Sequence, residues 1–122
     1  MFLFIISRPE DHKPFTEYVC RGCGQTVAKG EDLLPKLNDS VLNTFINPAG
    51  VECQVLTFRK ASRLKYFEWA TEEHTWFDGY AWRVAQCDRC TIHLGWRFEA
   101  SNPESAASGF HGLLLLHLKG IP

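Results

Sequence analysis

Residues 51–58, VECQVLTF, alternate in character: Val51, Cys53, Val55 and Thr57 fall on one face of an extended chain. A period of two over these positions predicts a strand. YAWRVAQC (80–87) and HLGWRF (93–98) predict two more. A tight turn at Asp78-Gly79 precedes them, since both residues tolerate positive φ. The run FHGLLLLHL (110–118) suits helix or strand by its leucines, and Gly112 with its β surroundings favours a strand throughout. Between the runs lie the turn signals RGCGQ (21–25), AKGED (28–32), NPAG (47–50) and SNPESAASG (101–109). Helix is limited to one turn, near 31–37 or 60–66. Many short strands with turns at close intervals predict an all-β, antiparallel architecture. No repeat, linker or low-complexity tract divides the chain, and 122 residues make one domain, 1–122.

Composition changes this picture little. Apolar residues are 45% and charged residues 22%, an ordinary globular balance that argues against disorder. The formal net charge of −1 leaves no basic excess to neutralise a phosphate backbone, so no nucleic-acid partner is expected. The apolar run Met1–Ile6 is shorter than a signal-peptide core and has no basic region before it. LLLL at 113–116 is closed by His117 and Lys119, far short of a membrane span. A cytoplasmic protein with no membrane partner is expected; secretion is the alternative if a leader has been removed. In a secreted protein the NDS triplet at Asn38 would be a glycosylation sequon.

Cysteine spacing changes the picture more. Four of the five cysteines form two Cys-x-x-Cys pairs, Cys20 with Cys23 and Cys87 with Cys90. Each such turn aims two thiolates at one centre, and two turns complete a tetrahedral sulfur set that suits zinc. Gly22 and Gly24 let the first turn fold back on the sulfurs. The pairs lie far apart in sequence, so the metal would join distant parts of the sheet rather than fold one short finger. Two disulfides or a redox dithiol are the rivals, favoured respectively by an export signal and by a single pair. A closed four-thiolate set has no open position, so one structural zinc is expected. Cys53 reads as a small buried hydrophobe.

EEHTWFDGYAW (72–82) gathers His74, Trp76, Phe77, Tyr80 and Trp82, and Trp96 and Phe98 follow downstream. Large rings in strands usually fill a core, and Phe45, Phe58, Phe67 and Trp69 are assigned to one. Three further indoles, Trp76, Trp82 and Trp96, would each need an N–H partner if buried. Indole walls around a flat polar ring, with His74 supplying a polar contact, are the alternative. On the residues alone the two readings stand level.

EEHTWFDGYAWRVAQCDRCTIHLGWRF (72–98), NPAG (47–50) and the closing FHGLLLL…GIP closely resemble the thalidomide-binding (CULT) domain family of cereblon. The similarity runs from about Tyr18 to Pro122. Its pattern, His-x-Trp-Phe-x-Gly-Tyr-x-Trp…Cys-x-x-Cys…His-x-Gly-Trp-x-Phe, is long and specific. The resemblance implies a β-tent, two antiparallel sheets at a steep angle pinned by a zinc on Cys20, Cys23, Cys87 and Cys90. That fold is related to methionine sulfoxide reductase B and Yippee-like folds. It also implies a ligand site: a three-tryptophan cage of Trp76, Trp82 and Trp96, Phe98 at its base, Phe77 beside it, and Asn47 and Pro48 at the rim. The backbone and imidazole of His74 and the N–H of Trp76 would bond a cyclic imide. The implied ligands are glutarimides such as thalidomide, uracil- or uridine-like rings, and C-terminal cyclic imides on damaged proteins. Such a ring presents a donor N–H between two acceptor carbonyls, and a ring without that edge would leave buried polar groups unpaired. The chain has no room for the Lon-like domain or ligase-adaptor contacts of full cereblon, so ubiquitin-ligase partners are not carried over. A monomer is expected. Asp78 stands at a turn position where the family can carry other residues.

CDRCTIHLGWRF also resembles the Cys-x-x-Cys-x-x-His-Leu-Gly-His stretch of methionine sulfoxide reductase B. That enzyme needs a nucleophilic thiolate on a late strand, but no cysteine follows Cys90 and the second His is Trp96 here. Only a Cys53 lying in the cage would restore the reductase reading. No Ser-His-Asp order, paired carboxylates or phosphate-cradling loop is present. Glu72 and Glu73, being adjacent, point to opposite faces of an extended chain. His93, His111 and His117 are read as surface or core residues. A zinc-stabilised RNA or protein interaction module is a third class, weighed against by the near-zero charge. The residues favour a non-enzymatic domain that binds a small ring.

Overall fold

Alternation and turn chemistry generate ten strands among residues 7–122, the part of the chain that the computed structural model describes. The run Met1–Ile6 lies outside the described residues. In order, the strands are β1 (Ser7–Pro9), β2 (Glu17–Cys20), β3 (Thr26–Lys29), β4 (Leu42–Ile46) and β5 (Glu52–Phe58). Then come β6 (Leu64–Tyr66), β7 (Tyr80–Cys87), β8 (His93–Ala100), β9 (Phe110–Leu114) and β10 (Leu118–Ile121). They form two antiparallel sheets, one of seven strands in the order β1-β4-β5-β9-β8-β7-β6 and one of three in the order β10-β2-β3. The expected all-β architecture of two antiparallel sheets is the one observed.

Because side chains alternate along a strand, the larger sheet buries two sets of residues. Leu56 and Phe58 of β5 and Leu113 of β9 pack with Tyr18, Val27, Ala28 and Leu118 of the smaller sheet. Tyr18 meets Phe58 edge-on, with ring centroids 5.2 Å apart. Val55 of β5 and Phe110 of β9 join Phe45, Phe77, Tyr80 and Phe98 in the second set. The inner half of β5, Val55–Phe58, is thus buried on both faces, which the alternating pattern alone did not predict.

Three expectations are corrected. The run 110–118 is not one strand: β9 stops at Leu114, and a 3₁₀ turn at Leu115–His117 carries the chain to β10 in the other sheet. At that crossing Leu116 is left 76% exposed. Helix among the described residues is that unexpected turn and another at Gly30–Asp32, which meets the expected turn near 31–37, whereas 64–66 pairs with β7 as a strand. Phe67 and Trp69, assigned to the core, are exposed at 44% and 70% because they follow β6 along the edge of the sheet.

β9 also buries an imidazole. His111 is 4% exposed, bonds the Tyr66 hydroxyl through Nε2 at 2.7 Å, and has no partner for Nδ1. Burial, with Arg97 adding repulsion, lowers its pKa to about 4. An unfolded histidine titrates near 6.5, so on acidification the unfolded chain takes up the proton first. Stability is therefore intact at pH 7 and is lost as pH falls from about 6.5 towards 4. Denaturant unfolding at pH 7 and pH 5 should show a loss on the order of 2 kcal/mol that His111→Phe removes. Equal acid sensitivity in the two proteins would exclude this role.

Candidate metal centre and ligand cavity

Cys20 ends β2 and Cys87 ends β7, one in each sheet, and each strand runs into a tight turn bearing the second thiol of its pair. In the first turn the Gly24 N–H donates to the Cys20 carbonyl at 2.7 Å; in the second the Thr91 N–H donates to that of Cys87 at 3.0 Å. The turns approach closely. A Cβ at Gly22 would stand 2.5 Å from Ile92 Cδ1 and 3.2 Å from Cys90 Sγ, so a larger residue would have to push the Ile92 side chain aside.

All four Sγ atoms lie within 4.8 Å of one another, with Cys20–Cys90 at 3.5 Å and Cys23–Cys87 at 3.6 Å. These separations are too long for disulfides, and all five cysteines are free. A tetrahedral ion with bonds near 2.3 Å to sulfur would set its ligands about 3.8 Å apart. Burial pushes the Cys20 thiol up to about 12 against the N–H groups of Cys23 and Gly22. At Cys87 burial is outweighed by the N–H groups of Cys90 and Arg89, which bring the thiol down to about 7. Gln25 adds an outer layer, donating to Cys87 Sγ at 3.6 Å and to Asp88 Oδ1 at 2.6 Å. The four cysteines are positioned to bind a metal ion, consistent with one zinc site.

On the larger sheet a cavity of about 480 Å³ opens over the second buried set. Register builds two walls: Trp82 of β7 stands opposite Phe98 of β8, and Trp96 is two residues from Phe98 on the same face. Phe98, 1% exposed, forms the floor and stacks on Phe110 at 5.0 Å. The third wall, Trp76, comes from the loop before β7. It stacks on Phe45 at 4.6 Å and meets Trp96 edge-on at 5.0 Å. Its indole N–H donates to the Ile46 carbonyl at 3.3 Å, and that of Trp82 to the Glu73 carbonyl at 2.7 Å. Trp96 donates to no described residue, which leaves its N–H for a guest or water.

The loop supplies the polar side. The Thr75 N–H donates to the Glu72 carbonyl, and His74 takes the left-handed φ of 58° that closes this turn. For a non-glycine residue that conformation costs about 1–2 kcal/mol. A second turn, closed by the Tyr80 N–H on the Phe77 carbonyl at 3.0 Å, places Gly79 at φ 85°. Between the turns the His74 carbonyl and the Trp76 N–H have no partner among the described residues. The His74 imidazole is half-exposed, 3.4 Å from Glu73 Oε1. At the rim, Asn47 Oδ1 accepts from the N–H groups of Ala49 and Val51, both at 2.9 Å, and so fixes the turn carrying Pro48.

His74, Trp76, Trp82, Trp96, Phe98, Asn47 and Pro48 thus all line one cavity. Phe77 does not. It is 5% exposed and packs on Phe45, Phe98 and Phe110, because the Thr75 hydroxyl, bonded to its N–H and carbonyl, turns it inward. Cys53 is not among the lining residues either, so no thiol reaches the cavity. Sequence reasoning missed Trp69, Thr71 and Glu73, which do line it. Their signal was the composition of the segment before His74, where tryptophan stands among carboxylates.

No protein-family model matches the chain. Over 99 residues, 80% of the chain, it is 33% identical to protein cereblon of Danio rerio and to that of Gallus gallus. Over 103 residues, 83% of the chain, it is 32% identical to protein cereblon of Drosophila persimilis. The chain spans 23%, 22% and 17% of the lengths of these three relatives.

A metal bridging two sheets stabilises only the folded state, since the unfolded chain holds no preformed site. Elemental analysis should return one metal ion per chain. Chelation, or Cys90→Ser, should lower the unfolding midpoint by on the order of 10 °C or more, each kcal/mol being about 4 °C in a domain this size. A metal-free chain that unfolds at the same temperature would exclude a structural metal.

Proposed function

Because the chain is a cereblon-like domain, we propose that it is a non-enzymatic binding module for cyclic imides, held in the aromatic cavity. The observation that carries this reading is the pairing of three indole walls with a free backbone edge on the adjoining loop, the His74 carbonyl and the Trp76 N–H. A glutarimide is the complement of such a site. Its N–H donates to a carbonyl, one of its own carbonyls accepts from an N–H, and its methylenes fill the space between rings. The His74 imidazole serves the second imide carbonyl. Glutarimides such as thalidomide, uracil-like rings and C-terminal cyclic imides of proteins share this edge and form the ligand class. Nucleic acid, membrane and ubiquitin-ligase partners are not part of the proposal, which treats the domain as a monomer.

The metal fits zinc, because four thiolates at tetrahedral spacing suit a soft cation without geometric preference of its own. Closed coordination makes its role structural. None of the four metal ligands, and no other thiol, is among the residues lining the cavity, which supports a binding role for it. The free thiols suit a reducing, cytoplasmic compartment.

Titration with thalidomide or uridine, followed by tryptophan fluorescence, should give a saturable change that Trp82→Ala abolishes. Methylating the imide nitrogen removes the donor and leaves the His74 carbonyl unpaired, so affinity should fall about tenfold or more. No fluorescence response in the intact protein, or a response that survives Trp82→Ala, would overturn the reading.

A further inference from the structure

The cavity does not end at its three half-buried indoles. Trp69 lines it as well, yet is 70% exposed. A ring left in water forgoes the burial that the other rings obtain, so its placement needs a cause. Its backbone is already fixed along the β7 edge. The Phe67 N–H donates to the Val84 carbonyl and the Thr71 N–H to that of Trp82, both at 3.0 Å. Arg83 Nη1 holds the carbonyls of Phe67 and Glu68 at 2.9 and 2.8 Å. Between these ties the Trp69 indole bonds no described residue. An unpartnered ring displayed beside a cavity on ordered backbone is a contact surface whose ordering cost is already met.

Charge says what it contacts. The cavity lining carries one carboxylate, Glu73, and no lysine or arginine. Glu68 and Glu72 lie exposed on the same segment, and His74 stands beside Glu73. Arg83, which holds this segment, faces Glu99 at 2.6 Å, a carboxylate it shares with Arg97 at 4.0 Å, and neither arginine lines the cavity. Indole faces attract cations, and the carboxylate reinforces that sign. A ring with its imide edge on His74 and Trp76 directs its substituent out through the mouth that Trp69 borders. Resting on the cyclic-imide reading of the cavity, we propose that Trp69 and Glu73 form a second subsite for the group the ring carries, selecting a lysine or arginine side chain immediately before a C-terminal cyclic imide.

The test uses three N-acetylated peptides ending in the same glutarimide, with Lys, Ala or Glu before it, and glutarimide alone as the free ring. By calorimetry the Lys peptide should bind most tightly and the Glu peptide least, about fivefold apart at low salt. Trp69→Ala should bring the peptides within about twofold of one another, with a smaller loss for the free ring than for the Lys peptide. Glu73→Gln, or raised salt, should narrow the gap. Equal binding of the Lys and Glu peptides by the intact protein would overturn the proposal. So would a Trp69→Ala loss as large for the free ring as for the peptides, which would make Trp69 a wall of the ring site. If neither ring nor peptides bind, the imide reading fails, and the subsite with it.

Discussion

Four sulfur atoms converge where the two sheets meet, and a cation binding them would fix the arrangement on which the cavity depends. Cys20 and Cys87 are strand ends, so a metal bonded to their thiols would fix where β2 stops relative to β7. From Cys87 the constraint runs back along β7 to Trp82, about 17 Å of extended backbone at 3.4 Å per residue. It crosses to β8, where antiparallel register fixes Phe98 opposite Trp82. A metal held on these thiols, outside the cavity lining, would thereby set the spacing of its walls. Burial opposes the thiolate at Cys20, while the backbone N–H groups of Cys90 and Arg89 favour it at Cys87.

Below the walls the aromatic rings form a supporting layer. Phe45 backs Trp76, and Phe110 backs Phe98. Phe77 closes the gap between them through edge-on contacts with Phe98 and Phe110, both at 4.8 Å. Face and edge contacts of this kind add about 0.5–1.5 kcal/mol each beyond burial. This layer lets three indoles remain half open to solvent without the site collapsing. It also offsets the left-handed turn at His74, whose carbonyl stays free of internal partners.

Much of this was legible in the residues. Paired cysteine spacing reports a metal cluster because ligand geometry tolerates few alternatives, and four free thiols do meet within 4.8 Å. The aromatic run before β7 was legible too, and period two puts Trp96 and Phe98 on one face of β8; that Trp82 joins them came from the family resemblance, since the residues alone do not disclose the register of β7 with β8. Exposure was not legible. Phe67 and Trp69 look like core by composition, and only their position on an edge leaves them outside. Phe77 looks like cage because it neighbours Trp76, and only the Thr75 hydroxyl contacts reveal that it turns inward. Nor could four consecutive leucines announce that the chain leaves one sheet for another between Leu114 and Leu118, because hydrophobicity carries no information about which sheet receives a strand.

One hydrogen bond in the cavity wall has a kinetic meaning. The Trp82 indole donates to the Glu73 carbonyl, while its backbone exchanges two bonds with Thr71. Wall and rim are therefore a single stiff piece, and the indole does not swing aside as a gate. A guest of the proposed kind would enter and leave through a mouth that is already open, so its dwell time would be set by the contacts it makes and not by a slow rearrangement of the protein. Occupancy would then follow concentration promptly, as in a reader of passing molecules more than a store for them.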